Sequence, residues 1–365
     1  MILLNSDIGN YIISNGKKFS YFGGNNYLGL ASHPAVKEAA IKAIEKYGVN
    51  FSASRRTSGT ADIHLELESA LSEFKGTEDT VVFASGYQGN TILLELLRGR
   101  CSAVFVDKLA HSSIKSAVNS DFRKVHYYEH CNAAYLEKLL EDFSGSSPLI
   151  ITDGVFALTG EITPLDRIFP LIKKYNAILI LDDAHSTGIL GNTGRGTAEH
   201  FNIKEDVNLL QSETMSKALG SYGGFISGRN SLAELVRENS ATYQSSTSLP
   251  PPVVAAGIAS LRIIKENPDL RHKVIEKALQ LRKEIIGLNY ETTNTITPII
   301  PIIFSDSAKA VNLSLYLEEN GIVAPYMNYP SELDSYMVRI TVSAVHTDYQ
   351  VEELIGKLKK WKERN

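Results

Sequence analysis

The chain reads as an α/β protein: a large domain on a mostly parallel sheet flanked by helices, followed by a smaller C-terminal α+β domain. Three observations predict it. Between Thr80 and Ser227 short apolar runs alternate with stretches of helical period. Leu249-Pro250-Pro251-Pro252 breaks the alternation, and a long helical region follows it. The last hundred or so residues then carry strand-like runs at Thr297–Phe304 and Met337–Thr341 with helices at Ala308–Asn320 and Asp348–Lys359. The expected division is 1–50 as an N-terminal arm and helix, 51–265 as the large domain and 266–365 as the small one.

The elements follow in order. Tyr11–Ser14 and Lys18–Phe22 can pair through a turn at Asn15-Gly16. Pro34–Tyr47 has apolar residues at helical spacing and Gly48 as a stop. Phe51–Gly59 is small and polar, a loop; Thr60–Phe74 is an amphipathic helix with Leu65, Leu67 and Leu71 inward. His64 in it reads as a plain helix residue. Strands are then expected at Thr80–Phe83, Ala103–Asp107, Lys124–Tyr128, Leu149–Asp153, Ala177–Asp182, Val207–Gln211 and Phe225–Ser227. Helices are expected at Gly86–Leu97, Ser112–Asn119, Ala133–Asp142, Leu165–Tyr175 and, as one long region, Val253–Ile286. In such sheets a ligand sits at the carboxyl ends of the strands.

Composition narrows the function. With 37 Lys and Arg against 41 Asp and Glu the net charge is −4, so neither nucleic acid nor an anionic membrane is an expected partner. The two cysteines, Cys101 and Cys131, offer neither a disulfide framework nor a metal-ligand cluster. No apolar stretch is long enough for a membrane span and the start lacks a signal-peptide pattern, which makes the cytoplasm the expected location.

Chemistry concentrates in a few stretches. In Val207–Gly228, Lys217 stands among Ser212, Thr214, Ser216 and Ser221, between two apolar β-segments. A lysine in a dry, hydroxyl-lined pocket loses its proton readily and can form a Schiff base, while hydroxyls and free N–H groups suit a phosphate. That suggests pyridoxal phosphate (PLP); a loop lysine capping a helix end is the plainer alternative. In Ile178–Gly188, Asp182 falls at a strand's end with Asp183 and His185 close by. A carboxylate there would keep a pyridine nitrogen protonated, and a histidine could donate to the ring's phenolic oxygen. The alternatives are an N-cap aspartate with His185 on the surface, or a metal site, for which no third ligand is in view. Ser85, Gly86 and Tyr87 lie at a strand-to-helix junction whose free N–H groups suit an anion. His111 could stack on a ring or simply cap a helix. Ser246 and Thr247 could bond a phosphate or belong to a serine-rich loop. Arg339, inside an apolar strand, could clamp a substrate carboxylate or pair with a protein acid.

Taken together these segments resemble the α-oxoamine synthases, PLP enzymes of the aspartate aminotransferase-like fold (fold type I). The resemblance runs along nearly the whole chain. Asn25–Leu30 is similar to the family's N-D-Y-L-G-L, with Asn26 in place of the acid. Ser58-Gly59-Thr60 with His64, Leu65 and Glu66 resembles S-G-T-x-x-x-H-x-x-L-E, and Ala84–Asn90 resembles S-G-[FY]-x-x-N. Asp153–Gly160 resembles [DE]-G-V-F-S-M-D-G, Asp182–Gly188 D-[DE]-[AS]-H-x-x-G, Gly191–Gly196 G-x-x-G-R-G and Thr214–Gly224 T-x-[SG]-K-[AG]-x-G-x-x-G-G. The resemblance implies Lys217 as the Schiff-base lysine, Asp182 as the pyridine-nitrogen partner, His185 at the phenolic oxygen and His111 stacked on the ring. It implies phosphate contacts from Ser85, Gly86, Tyr87 and Thr214, and from Ser246 and Thr247 of a second subunit. Arg339 and Asn25 would take the amino acid's carboxylate. The chain departs from the pattern at Ala157, where the family usually has serine, and at Asp153, where many members have glutamate. No N-terminal arginine for the acyl substrate can be placed.

The resemblance implies a homodimer with shared sites. It implies that a small amino acid (alanine, glycine or serine) condenses with an acyl thioester on coenzyme A or a carrier protein, with loss of carbon dioxide. An aminotransferase on the same scaffold would need a keto-acid acceptor and no thioester. A PLP-binding protein without catalysis is a third reading, against which Lys217, Asp182, His185 and Arg339 together speak.

Overall fold

The computed structural model describes residues 2–122, 124–143, 147–328 and 335–364. Contacts divide the chain into two compact units. The larger comprises Pro34–Phe156 and Ile162–Glu266; the smaller comprises Met1–His33, Ala157–Glu161 and Asn267–Asn365. The helix Pro34–Tyr47 thus goes with the larger unit, and the short piece Ala157–Glu161 with the smaller.

The larger unit is built on a seven-stranded sheet. Its order is Asp79–Phe83, Gly224–Gly228, Leu209–Thr214, Ile178–Asp182, Leu149–Asp153, Val104–Asp107 and Val125–Tyr128. Gly224–Gly228 runs antiparallel to both of its neighbours; the pairs from Leu209–Thr214 outward to Val125–Tyr128 are parallel. The central strands are near-continuous apolar runs because both sheet faces are covered. Alternate residues feed two cores. Val104, Val106, Ile151 and Ile180 pack with Leu93, Ile114 and Val118 on one face. Phe105, Ile150, Leu179 and Leu181 pack with Leu136, Leu165, Ile168 and Ile172 on the other. Every strand therefore ends held from both sides, and a residue at its last position is fixed in direction.

Several expectations are corrected here. Leu65, expected inward, is 56% exposed; the inner face of helix Asp62–Lys75 is Ile63, Leu67 and Leu71 with the polar His64, Glu68 and Lys75. The single helical region after the proline run is two helices, Pro251–Glu266 and Asp269–Gly287, broken at Asn267-Pro268 where proline removes an N–H. The strand expected at Val207–Gln211 runs from Leu209 to Thr214 instead, because Ser212, Glu213 and Thr214 continue the ladder despite their polarity. Helices Asn230–Asn239 and Ala241–Ser245 had no counterpart in the sequence reading.

In the smaller unit Tyr11–Ser14 and Lys17–Tyr21 form an antiparallel hairpin. Asn15 and Gly16 both have positive φ, 49° and 73°, as a two-residue type I′ turn requires. Ile322–Val323 joins this hairpin in parallel, and a second antiparallel sheet sets Tyr336–Thr341 between Ile299–Phe304 and Tyr326–Met327. His346 is nearly sealed here, stacked on Phe22 with ring centroids 4.1 Å apart. Its Nδ1 accepts the Ser343 N–H at 2.9 Å, so the ring proton lies on Nε2, which donates to the Tyr21 carbonyl at 2.9 Å. Among the described residues no helix is long and apolar enough to cross a membrane.

Candidate active site

The carboxyl ends of the central strands come together in register in the larger unit: Asp153 pairs with Asp182, Asp182 with Ser212, and Thr214 with Gly224. Asp182 is 6% exposed. Its Oδ2 accepts the Asn90 side-chain amide at 2.7 Å and its Oδ1 the Ala184 N–H at 3.1 Å, which fixes the carboxylate's orientation. Asp183 points elsewhere and is structural: it is fully buried and accepts from the Thr197 hydroxyl at 2.6 Å, the Thr197 N–H at 3.0 Å and the Gln211 amide at 3.0 Å. His185 is buried, which sets aside its reading as a surface histidine.

The structure shows the capping reading of His111. It caps helix Ser112–Asp121, its Nδ1 accepting the Ser113 N–H at 3.2 Å and lying 2.7 Å from the Ser113 hydroxyl. Its own N–H donates to Asp153 Oδ2 at 2.9 Å, which orients the residue from the next strand. Lost hydration lowers the imidazole's pKa; Asp182 opposes the shift and the Lys217 charge adds to it. The shift favours the neutral imidazole. Burial raises the Asp153 pKa well above the usual carboxylate range, and the Asp182 charge pushes the same way; the His111 N–H and Lys217 oppose it. The two adjoining carboxyl groups thus stand in different surroundings, Asp153 fully enclosed with the His111 N–H on its Oδ2 and Asp182 held by Asn90 and Ala184.

Lys217 lies in the tight turn between strands Leu209–Thr214 and Gly224–Gly228 and is half-buried. The turn is tied by Met215 N–H to the Gly223 carbonyl at 2.9 Å and Ser221 N–H to the Met215 carbonyl at 3.0 Å. Because Leu209–Thr214 runs parallel to Ile178–Asp182, the turn that follows it stands at the same edge as Asp153 and Asp182, and the Lys217 charge acts on both His111 and Asp153. Not all the hydroxyls near it in sequence face it. Ser221 donates to the Val253 carbonyl at 2.6 Å and Ser216 is exposed.

The junction at Ser85–Tyr87 is packed unusually close. Ser85 caps helix Gly86–Leu97, its hydroxyl accepting the Tyr87 N–H at 3.3 Å. A Cβ on Gly86 would lie 2.7 Å from Thr214 Cβ, and one on Gly224 would lie 2.7 Å from Gly86 Cα. Thr214 is buried; its hydroxyl donates to the Gly223 carbonyl at 2.9 Å and accepts the Ser216 N–H at 3.1 Å. Tyr87 is 49% exposed, its ring edge-on to His111 at 6.4 Å between centroids. Ser246 Oγ accepts the Gln88 amide of its own chain at 3.2 Å, and Thr247 is exposed and bridged to Ser54.

In the smaller unit the structure brings the expected pair together. Arg339 is 3% exposed; it donates to Asn25 Oδ1 at 2.9 Å, to the Thr341 hydroxyl at 2.9 Å and to the Ala157 carbonyl at 2.6 Å. All three partners are neutral oxygens, not the protein acid of the plainer reading.

Asn90, which holds Asp182, is absent from the sequence-derived site, although it stands four residues after Gly86 on the same helix face. Asp153 was read only as a departure from a pattern. A cavity of about 680 Å³ opens at the opposite sheet edge, among Ile178, Leu209 and Gly228, and holds none of the expected site residues.

The larger unit offers what PLP needs. It has an acid fixed at Asp182, a lysine amine at Lys217, a neutral flat ring at His111, and a glycine-lined helix start at Gly86 where side chains would not fit.

The model of the family described as aminotransferase class I and II matches residues 17–358. An 8-amino-7-oxononanoate synthase of Thermoanaerobacter pseudethanolicus is 37% identical over 363 residues, 99% of this chain and 92% of the relative. An enzyme of the same name from Lysinibacillus sphaericus is 36% identical over 351 residues, 96% of this chain and 90% of the relative. Among solved structures, a serine palmitoyltransferase from S. paucimobilis with PLP and myriocin bound superposes with a TM-score of 0.95 at 26% identity, covering 100% of this chain and 92% of that one.

Proposed function

Because the chain belongs to the aminotransferase class I and II family, in its α-oxoamine synthase branch, we propose that it is a PLP-dependent acyltransferase that condenses alanine with a pimeloyl thioester, as an 8-amino-7-oxononanoate synthase does. The observation that carries the chemistry is the buried Asp182 carboxylate, fixed by Asn90 at the end of its strand and in register with Asp153. The names of the relatives support the choice of substrates; glycine with an acetyl thioester is the nearest competitor.

PLP, when bound, serves as an electron sink for negative charge at the substrate's α-carbon. Asp182 holds a proton on the ring nitrogen and so keeps that sink effective. Lys217 would supply the amine that holds the cofactor, and its Nζ would serve as the base that takes and returns the α-proton. His111 covers the ring as a neutral flat surface, His185 donates to the phenolic oxygen, and Asp153 positions His111 through its main-chain N–H. Ser85, Gly86, Tyr87 and Thr214 receive the phosphate. Arg339, steadied by Asn25, takes the amino acid's carboxylate with two parallel N–H groups. The thiol of coenzyme A or of a carrier protein is the leaving group. The protein works in the cytoplasm as a homodimer, with Ser246 and Thr247 reaching the partner's phosphate.

The test is release of free thiol from a panel of acyl thioesters with alanine, glycine and serine. Alanine with pimeloyl thioester is expected to be fastest. Lys217→Ala should lose the visible absorbance of the lysine-bound cofactor and all thiol release. Full turnover in that variant would refute the assignment.

A further inference from the structure

One strand beyond Asp153, at the same sheet edge, lies a cluster that the condensation does not use. The turn after edge strand Val125–Tyr128 carries His130 and Cys131 over the end of Val104–Asp107, where Asp107 is fully buried. The Asp107 carboxylate organises that turn. Its Oδ2 accepts the Cys131 N–H at 2.9 Å; its Oδ1 accepts the Leu109 N–H at 2.8 Å and lies 3.0 Å from His130 Nδ1. With Nδ1–H directed at a carboxylate, the ring's lone pair is on Nε2, and Nε2 lies 3.7 Å from Cys131 Sγ. Phe156 holds the imidazole edge-on at 4.3 Å between centroids. Cys131 has φ 52°, a conformation non-glycine residues rarely adopt, so the turn imposes its position.

These three groups could also ligate a metal, their donor atoms lying within 4.8 Å of one another. Against that, both Asp107 oxygens already accept main-chain N–H groups, and one ring nitrogen faces the carboxylate. What remains is a half-buried thiol beside an oriented base.

We propose that Cys131 is an activated thiol, a site of covalent modification by soft electrophiles and by peroxides. The thiol proton moves to His130 Nε2, and Asp107 steadies the resulting imidazolium. With a haloacetamide, the sulfur forms a bond to carbon as the carbon–halogen bond breaks and halide leaves. With hydrogen peroxide, a sulfur–oxygen bond forms as the oxygen–oxygen bond breaks. The sulfur is oxidised to sulfenic acid, and the departing hydroxide takes the His130 proton and leaves as water. The titratable groups that the structure sets against Cys131 are His130, Asp107 and the buried Tyr128 phenol. The molecule carries its own reference thiol: Cys101 is buried, and burial pushes it up to about 11.

Holoenzyme is treated with iodoacetamide from about pH 5 to about pH 9, and each cysteine peptide is followed by mass. Cys131 is expected to react at neutral pH about tenfold faster than glutathione, with a rate midpoint near or below pH 7, while Cys101 stays unlabelled. His130→Gln and, separately, Asp107→Asn should each move the midpoint back toward about 8.5, the value of an ordinary thiol. A midpoint at or above that value in the unsubstituted protein, or a rate no faster than glutathione, would overturn the proposal without any variant having to fold. So would protection of Cys131 by equimolar zinc chloride, which would assign the cluster to a metal.

Discussion

At the scale of single residues, Arg339 is a buried charge held by uncharged partners. Its guanidinium is nearly sealed yet meets only neutral oxygens, so an incoming carboxylate adds the one interaction the fold leaves out. Arg339→Lys keeps the charge but loses the fork. The expected result is a Michaelis constant for the amino acid raised about 10- to 100-fold, the equivalent of about 1.5–3 kcal/mol, with a smaller change in kcat. Steady-state kinetics with varied amino acid checks it. His346 makes the opposite case, a titratable group spent on stability. Burial lowers its pKa from 6.5 to about 4; the bond to the Tyr21 carbonyl opposes the shift and the Lys277 charge adds to it. The unfolded chain therefore binds more protons than the folded one between those values. Stability is complete above about pH 6.5 and falls by about 3 kcal/mol as pH drops toward 4. Urea unfolding across that range should show the slope, and His346→Gln should flatten it. The polar positions at the strand ends were legible because a lysine, an aspartate and a histidine stand there beside glycines and hydroxyls and after apolar runs. Asn90 and Asp153 were not. What assigns them is a 2.7 Å bond to Asp182 and strand register, neither of which a linear reading contains.

At the scale of elements, the site depends on how closely helix Gly86–Leu97 approaches the strands beside it. A Cβ at Gly86 would overlap both Thr214 Cβ at 2.7 Å and its hydroxyl at 2.8 Å. Gly86→Ala is expected to cost about 1–3 kcal/mol of stability and to weaken PLP retention, since the helix start must back away from the turn that bears Lys217. Denaturant titration and cofactor loss on dialysis measure the two effects separately. Element type and position were largely readable, because apolar runs with period two and helices with period near four leave different marks. Direction was not. Nothing in Gly224–Gly228 says that it runs against both neighbours, and nothing in Leu209–Thr214 says that it runs parallel to Ile178–Asp182, which is what places the Lys217 turn at the strand carboxyl ends. Leu65 misled for a related reason. The inner face of its helix spends three positions on His64, Glu68 and Lys75, and partners distant in the chain satisfy them. His64 Nε2 lies 2.9 Å from the Leu249 carbonyl, and Lys75 pairs with the buried Glu213.

At the scale of the whole molecule, the proposed sharing of sites between two subunits has a distinctive outcome. Lys217→Ala dimers and Ser246→Ala/Thr247→Ala dimers should each be nearly inactive. After subunit exchange, mixed dimers carry one site with both sets of groups intact, and activity should return to about a quarter of the unsubstituted level. No recovery after verified exchange would show that each site is completed within its own chain. The strand Asp79–Phe83 raises a different matter. It has a single neighbour, Gly224–Gly228, which ribosomes make only after the rest of the sheet and the cofactor lysine. Until then a row of N–H and C=O groups on an early segment goes without its mate. Nascent chains stalled ahead of that point should stick to one another through this row, so the yield of soluble protein in a cell hinges on how fast translation passes the lysine turn.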